Sequence, residues 1–166
     1  MSCDGPTGSR GPGTTPSVFV QLGMNSSPVN VSISATQVPL NYVLGGNTLG
    51  RRAFNEQTST FTVPISGVYR LFLDATFLIL TNVLAFQVFT QILVNEIPYA
   101  AFAKSFLATG NSYRVTLPNL YVGFLNKGER VTFVTQILLA GTAALEGPAV
   151  LGGSPIPTTA YIESYF

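Results

Sequence analysis

Residues 67–77 read GVYRLFLDATF, and their apolar side chains recur at every second position. Tyr69, Leu71, Leu73, Ala75 and Phe77 share one side, and Val68, Arg70, Phe72, Asp74 and Thr76 share the other. Successive side chains of an extended strand point to opposite faces, whereas an amphipathic helix needs its apolar residues three and four apart. The stretch is therefore a half-buried strand with a mixed outer face. The pattern returns downstream, where Phe86, Val88, Ile92 and Val94 oppose Ala85, Gln87, Phe89, Gln91 and Asn95. It returns again where Val131, Phe133 and Ile137 oppose Arg130, Thr132 and Gln136. Shorter versions stand at Val18-Val20-Leu22, Tyr113-Val115-Leu117 and Tyr161-Glu163-Tyr165.

Turn residues separate these runs. Gly45-Gly46, Thr109-Gly110-Asn111 and Asn126-Lys127-Gly128 supply the positive φ that tight connections require, and Gly128 is assigned to a hairpin turn. Prolines at 28, 39, 64, 98 and 118 are expected near strand ends, because proline removes a ladder donor. Only AAFAKSFLA, residues 100–108, hints at a helical turn. Residues 141–159 break the alternation with an apolar, glycine- and proline-rich run whose sole charge is Glu146, and they read as a loop packed on another subunit or exposed for contact. The chain is all-β, a sandwich or a jelly roll, and the pattern alone does not choose between them.

A length of 166 residues suits one domain with a sizeable core. Its surface is the difficulty: 9% of residues are charged and 46% are hydrophobic, so a lone monomer has little with which to coat itself. Either lipid or further copies of the chain must cover the excess. A membrane span is disfavoured, because the most lipid-like stretch, 71–94, contains Asp74, Asn82, Gln87 and Gln91 and alternates with period two. Burial against copies of itself is the expectation. With a net charge of +1 and Arg51-Arg52 as the only basic pair, the chain has no stripe for neutralising phosphates, and nucleic acid is not an expected partner.

The residue types that carry catalysis are scarce. There is no histidine and one cysteine, Cys3, which excludes a thiolate cluster, and the seven acidic residues are scattered singly. GGNTLG at 45–50 lacks the lysine and hydroxyl of a phosphate loop, precedes no evident helix, and reads as a turn. The expectation is a protein that is not an enzyme and takes no metal or cofactor. A residue on a symmetry axis would be multiplied in an oligomer, and Asp74, on the mixed face with Arg70 and Phe72, is the residue to watch; an exposed or intersubunit ion pair is its simpler role. Cys3 reads as a mobile thiol or as a crosslink to a neighbouring chain or anchoring partner. Asn25-Ser26-Ser27 and Asn30-Val31-Ser32 match the glycosylation pattern, which is too short to carry weight.

Residues 5–13, GPTGSRGPG, place Gly5, Gly8 and Gly11 at the period of a collagen triple helix, whose axis admits only glycine. Further on, Phe54, Phe61, Gly67 and Tyr69 stand at the spacing F-x6-F-x5-G-x-Y. This resembles the signature of the C1q/TNF-like jelly-roll superfamily. With VPLN (38–41), VNEIP (94–98) and a charge-poor C-terminal half, the chain is most similar to the C-terminal heads of bacterial collagen-like glycoproteins of the spore exosporium. The resemblance implies a ten-stranded jelly-roll sandwich that forms homotrimers. Residues 1–16 would be a collagen-like stub and linker and 17–166 the globular head. The implied function is a non-catalytic trimerisation and surface-display head of a collagen-like filament, extracellular or on a spore or cell surface. Its partners would be copies of itself and a surface anchoring protein or receptor. The alternative is a receptor-binding C1q-like module or a viral or phage fibre knob on a virion surface. Phe54, Phe61, Tyr69 and Tyr161 are assigned to the core or subunit boundary, and Gly67 to a position too tight for a side chain.

Overall fold

The strand read at residues 67–77 extends to Leu80 and organises half of the molecule. The computed structural model describes residues 17–24, 29–31, 34–80, 85–107, 113–137, 142–145 and 158–164. In chain order these form β1 (Val18–Gly23), β2 (Val29–Val31), β3 (Thr36–Gln37), β4 (Tyr42–Gly46), α1 (Thr48–Ala53), β5 (Phe54–Asn55) and β6 (Thr60–Thr62). There follow β7 (Gly67–Leu80), β8 (Ala85–Val94), β9 (Ile97–Leu107), β10 (Tyr113–Leu125), β11 (Arg130–Ile137), β12 (Thr142–Leu145) and β13 (Thr159–Ser164). The described residues thus form thirteen extended segments rather than ten, four of which, β2, β3, β5 and β6, are two or three residues long.

The strands form two antiparallel sheets. The seven-stranded sheet runs β2-β12-β7-β13-β1-β4, with β10 along the other side of β7. β7 is long enough to hold β10 over its whole length while β13 and β12 follow one another on its opposite side. The six-stranded sheet runs β5-β6-β11-β8-β9, with β3 also on β11.

Burial follows the predicted alternation. Tyr69, Leu71, Leu73, Ala75 and Phe77 of β7 are buried, as are Val18, Val20 and Leu22 of β1, and they meet Phe61, Val88, Ile92, Val131 and Phe133 of the other sheet. Tyr69 and Phe61 pack edge to face, with ring centroids 6.2 Å apart. The Tyr69 hydroxyl donates to the Ile65 carbonyl at 2.8 Å, so its one polar atom does not enter the core unpaired. At the β10 margin the buried Asn119 crosses between the sheets, its Nδ2 donating to the Thr90 carbonyl at 2.9 Å.

Four local expectations are corrected. Residues 100–107 of the stretch 100–108 contain no helical turn: they continue β9 to Leu107, where pairing with β8 overrides the helix propensity of alanine and lysine, and residue 108 lies outside the described residues. The segment 141–159 is not all loop, since β12 joins it to β7 and β2; residues 146–157 lie outside the described residues. A helix does follow GGN: the Asn47 side chain accepts from the Gly50 amide at 2.9 Å and caps α1, so Arg51 and Arg52 stand on a helix rather than a loop. A Cβ on Gly50 would run into the Phe19 carbonyl, and its absence lets the helix lie against β1. Pro118 stands inside β10 rather than at its end; among the described residues β10 has a ladder partner on one side only, and such an edge strand is where a proline is tolerated.

Candidate functional site

β7, β13, β1, β4 and β10 present their second set of side chains on the outside of the seven-stranded sheet, and the register lays these out in rows. One row runs Val122, Arg70, Glu163, Phe19, and the next runs Leu120, Phe72, Tyr161, Gln21, Gly45. A third runs Pro118, Asp74, Thr159, Gly23, Tyr42. Phe124 and Val68 form a pair at one end.

The centre of this face is ordered by cross-strand pairs. Arg70 and Glu163 form an ion pair at 3.2 Å, with the Arg70 side chain 56% exposed and the Glu163 side chain 16%. An ion pair so open to water contributes little stability, and its effect is to hold the two side chains in place. Phe72 and Tyr161 tilt against each other with centroids 6.1 Å apart, and the Tyr161 hydroxyl accepts from Gln21 Nε2 at 3.1 Å. Between Arg70, Phe72, Tyr161 and Glu163 lies a depression of about 260 Å³.

Around that centre the face is greasy and wet. Leu120, Val122, Phe124 and Val68 are between 49% and 60% exposed, and Tyr42 and Leu44 are at 48% and 45%. A second apolar strip follows the margin where the two sheets meet. Ile97, Tyr99 and Phe102 of β9 are exposed there, and Tyr99 packs edge to face on Tyr121 of β10 at 5.4 Å. Clustered exposed side chains of this kind mark an interaction surface, whereas single ones do not.

Asp74 is the uncompensated group on the face. It is half-buried between Pro118 and Thr159, and among the described residues it makes no ion pair or hydrogen bond. Burial pushes its carboxyl above the ordinary value of 3.8. The folded state therefore holds the proton more tightly than the unfolded chain, and the carboxylate lowers stability as pH rises through the folded pKa. Asp74→Asn is expected to raise the midpoint of thermal unfolding at pH 7, with the gain vanishing below about pH 3.8. Equal melting of the two proteins at both pH values would show the carboxylate to be well solvated.

Of the residues named from sequence, Phe54, Phe61 and Tyr69 are buried in the core. Gly67 is buried at the start of β7, and Gly128 sits in the turn between β10 and β11 with φ +90°. Tyr161 stands on the outer face with Arg70, Phe72 and Asp74. Cys3, Gly5, Gly8 and Gly11 lie outside the described residues. Sequence reasoning missed Leu120, Val122 and Phe124: in PNLYVGF both sides of the strand are apolar, so no polar contrast marks the outward one. Among the described residues no three His, Cys, Asp or Glu side chains gather to hold a metal, and no helix is long and apolar enough to cross a membrane.

No family model matches the sequence, and no curated protein does either. Solved structures do match, and one of them is Eiger TNF from S. frugiperda, at a TM-score of 0.61 and 15% identity. The match covers 90% of this chain and 93% of that one. At this identity the likeness is one of fold: two antiparallel sheets in a TNF/C1q-like jelly roll.

Proposed function

We propose that this chain is a non-catalytic head that assembles as a homotrimer and displays itself on a spore or cell surface at the end of a collagen-like filament. The observation that carries this reading is the outer face of the seven-stranded sheet, where large apolar side chains about half exposed surround an ordered polar centre. A second, different apolar strip lies on the β9–β10 margin. Two unlike patches on one chain favour a head-to-tail contact, which closes into a ring when the rotation between subunits allows it. The shortage of charge points the same way, since contact between copies removes the surface that the sequence leaves uncoated.

The triplets at residues 5–13 fit that assembly. Three chains held side by side by their heads have a high effective concentration at their leading ends, which is what a triple helix needs to nucleate. Residues 1–16 then act as stub and linker, and 17–166 as the clamp.

Sedimentation equilibrium of the full chain at micromolar concentration is expected to give the mass of three subunits, with 17.7 kDa in each. A single species at the mass of one chain would remove the trimer and the filament reading together. The likeness to Eiger TNF supports a second reading, a receptor-binding recognition module. The two separate by display: saturable binding to cells through the head favours recognition, and assembly into filaments without it favours the structural role.

A further inference from the structure

A groove of about 820 Å³ lies at the end of the sandwich, between α1, β5 and β6 on one side and the turn after β10 on the other. It shares no residue with the outer face of the seven-stranded sheet. We propose that this groove binds an acidic oligosaccharide, of the kind that carries a carboxylate on a pyranose ring.

The charge comes first. Arg52 and Lys127 both line the groove, are exposed, and make no ion pair among the described residues. Glu56 is the one acidic residue in the lining, so the groove carries a surplus of one positive charge. Glu129, on the neighbouring hairpin, is not part of the lining, and its carboxylate accepts from the Asn126 amide at 2.8 Å. Two cations with no ion-pair partner among the described residues, lining one groove, suit an anionic ligand.

The remaining lining selects a sugar. Half-buried Leu49 and Pro64 offer small apolar surfaces, suited to the C–H face of a pyranose. The exposed amide of Gln57 and hydroxyl of Thr62 supply hydrogen-bonding groups of the kind that hydroxyls require. Asn55 spends its Oδ1 on the amides of Gln57 and Thr58, at 3.0 and 3.1 Å, which leaves its Nδ2 to donate. An acidic peptide added as an extra strand is a poorer occupant, because β5, the edge strand at the groove, is two residues long and has almost no ladder to share.

The site is also preformed. Val63 donates to the Glu129 carbonyl and Gly128 to the Val63 carbonyl, both at 2.8 Å, and the Lys127 amide donates to Ser66 Oγ at 2.9 Å. The loop entering β7 is thereby laced to the turn after β10, while the Asn47 cap fixes α1 opposite. A groove whose walls are already hydrogen-bonded loses little freedom on binding.

The test is a calorimetric titration of the full chain with a tetrasaccharide alternating glucuronate and N-acetylglucosamine. Its carboxyl-reduced counterpart and hexaglutamate serve as the other two probes. Saturable binding of the uronate sugar is expected, with no binding of the reduced sugar and weakening by added salt. Arg52→Gln and Lys127→Gln should each lower the affinity roughly ten-fold, as expected for the loss of a charge-assisted hydrogen bond. Absence of uronate binding, equal binding by the doubly substituted protein, or binding of hexaglutamate at least as tight would overturn the proposal. Subunit mass is read on the same samples; because both substituted residues lie off the outer face, failure here leaves self-association standing, and a monomeric mass leaves the groove to be judged by its own titration.

Discussion

Replacing Phe61 by alanine is expected to destabilise the folded chain by about 3–5 kcal/mol. The side chain is fully buried and abuts the Tyr69 ring at 6.2 Å. It also belongs to β6, which is only three residues long and pairs with β11 at Arg130 and Val131 and with β5 at Phe54 and Asn55. So short a strand has few ladder hydrogen bonds of its own, and its position depends on the aromatic anchor. Alanine would leave a cavity between the sheets that neighbours cannot fill without moving Tyr69 and its hydrogen bond to Ile65. Denaturant unfolding followed by fluorescence and far-ultraviolet circular dichroism would measure the loss. A change below about 1 kcal/mol would mean that the site repacks freely and that Phe61 is not the anchor described.

The second large effect concerns assembly. Val122→Asp with Phe124→Asp places two carboxylates on the outer face at positions about 60% exposed in the single chain. Because both side chains reach solvent there, the fold should tolerate the change. An interface could not, since an unpaired charge taken out of water costs several kcal/mol. Self-association is expected to weaken by more than about 100-fold, at the rate of one factor of ten per 1.4 kcal/mol. Sedimentation should then show one subunit where the unmodified chain is expected to show three, with circular dichroism and melting little changed. A substituted protein of unaltered mass would mean that this face lies outside the contact.

The alternation at 67–77 made β7 and its buried residues readable, because a strand with one wet and one dry side leaves an unambiguous mark. Phe54, Phe61 and Tyr69, assigned from sequence to the core or the subunit boundary, are buried within the single chain. Strand order was not readable. Residues that pair on neighbouring strands of one sheet are as far apart in sequence as Val18 and Ser164, and nothing local encodes that neighbour. The outer face was half legible: Arg70 and Asp74 drew attention to the β7 part of it, while the β10 part, apolar on both sides, gave no contrast. The helix after Asn47 escaped for a different reason, since its six residues include a glycine and are decided by a cap and a close fit on β1 rather than by propensity. The groove needed the fold itself, because Arg52 and Lys127 lie 75 positions apart by their numbers and only the laced loops bring them to one site.

β13, last of the described strands, is inserted between β1 and β7, with a partner on each flank. A ribosome that has released only the first half of the chain has therefore exposed β1 without the strand it must join. Long-separated pairing of this sort is slow and leaves edges open in the meantime. Tyr161 and Glu163, which order the middle of the outer face, arrive on that same strand. Prematurely terminated chains would consequently lack the partners of Arg70 and Phe72 that order the middle of that face, and any contact built on it would form only once the last strand is in place.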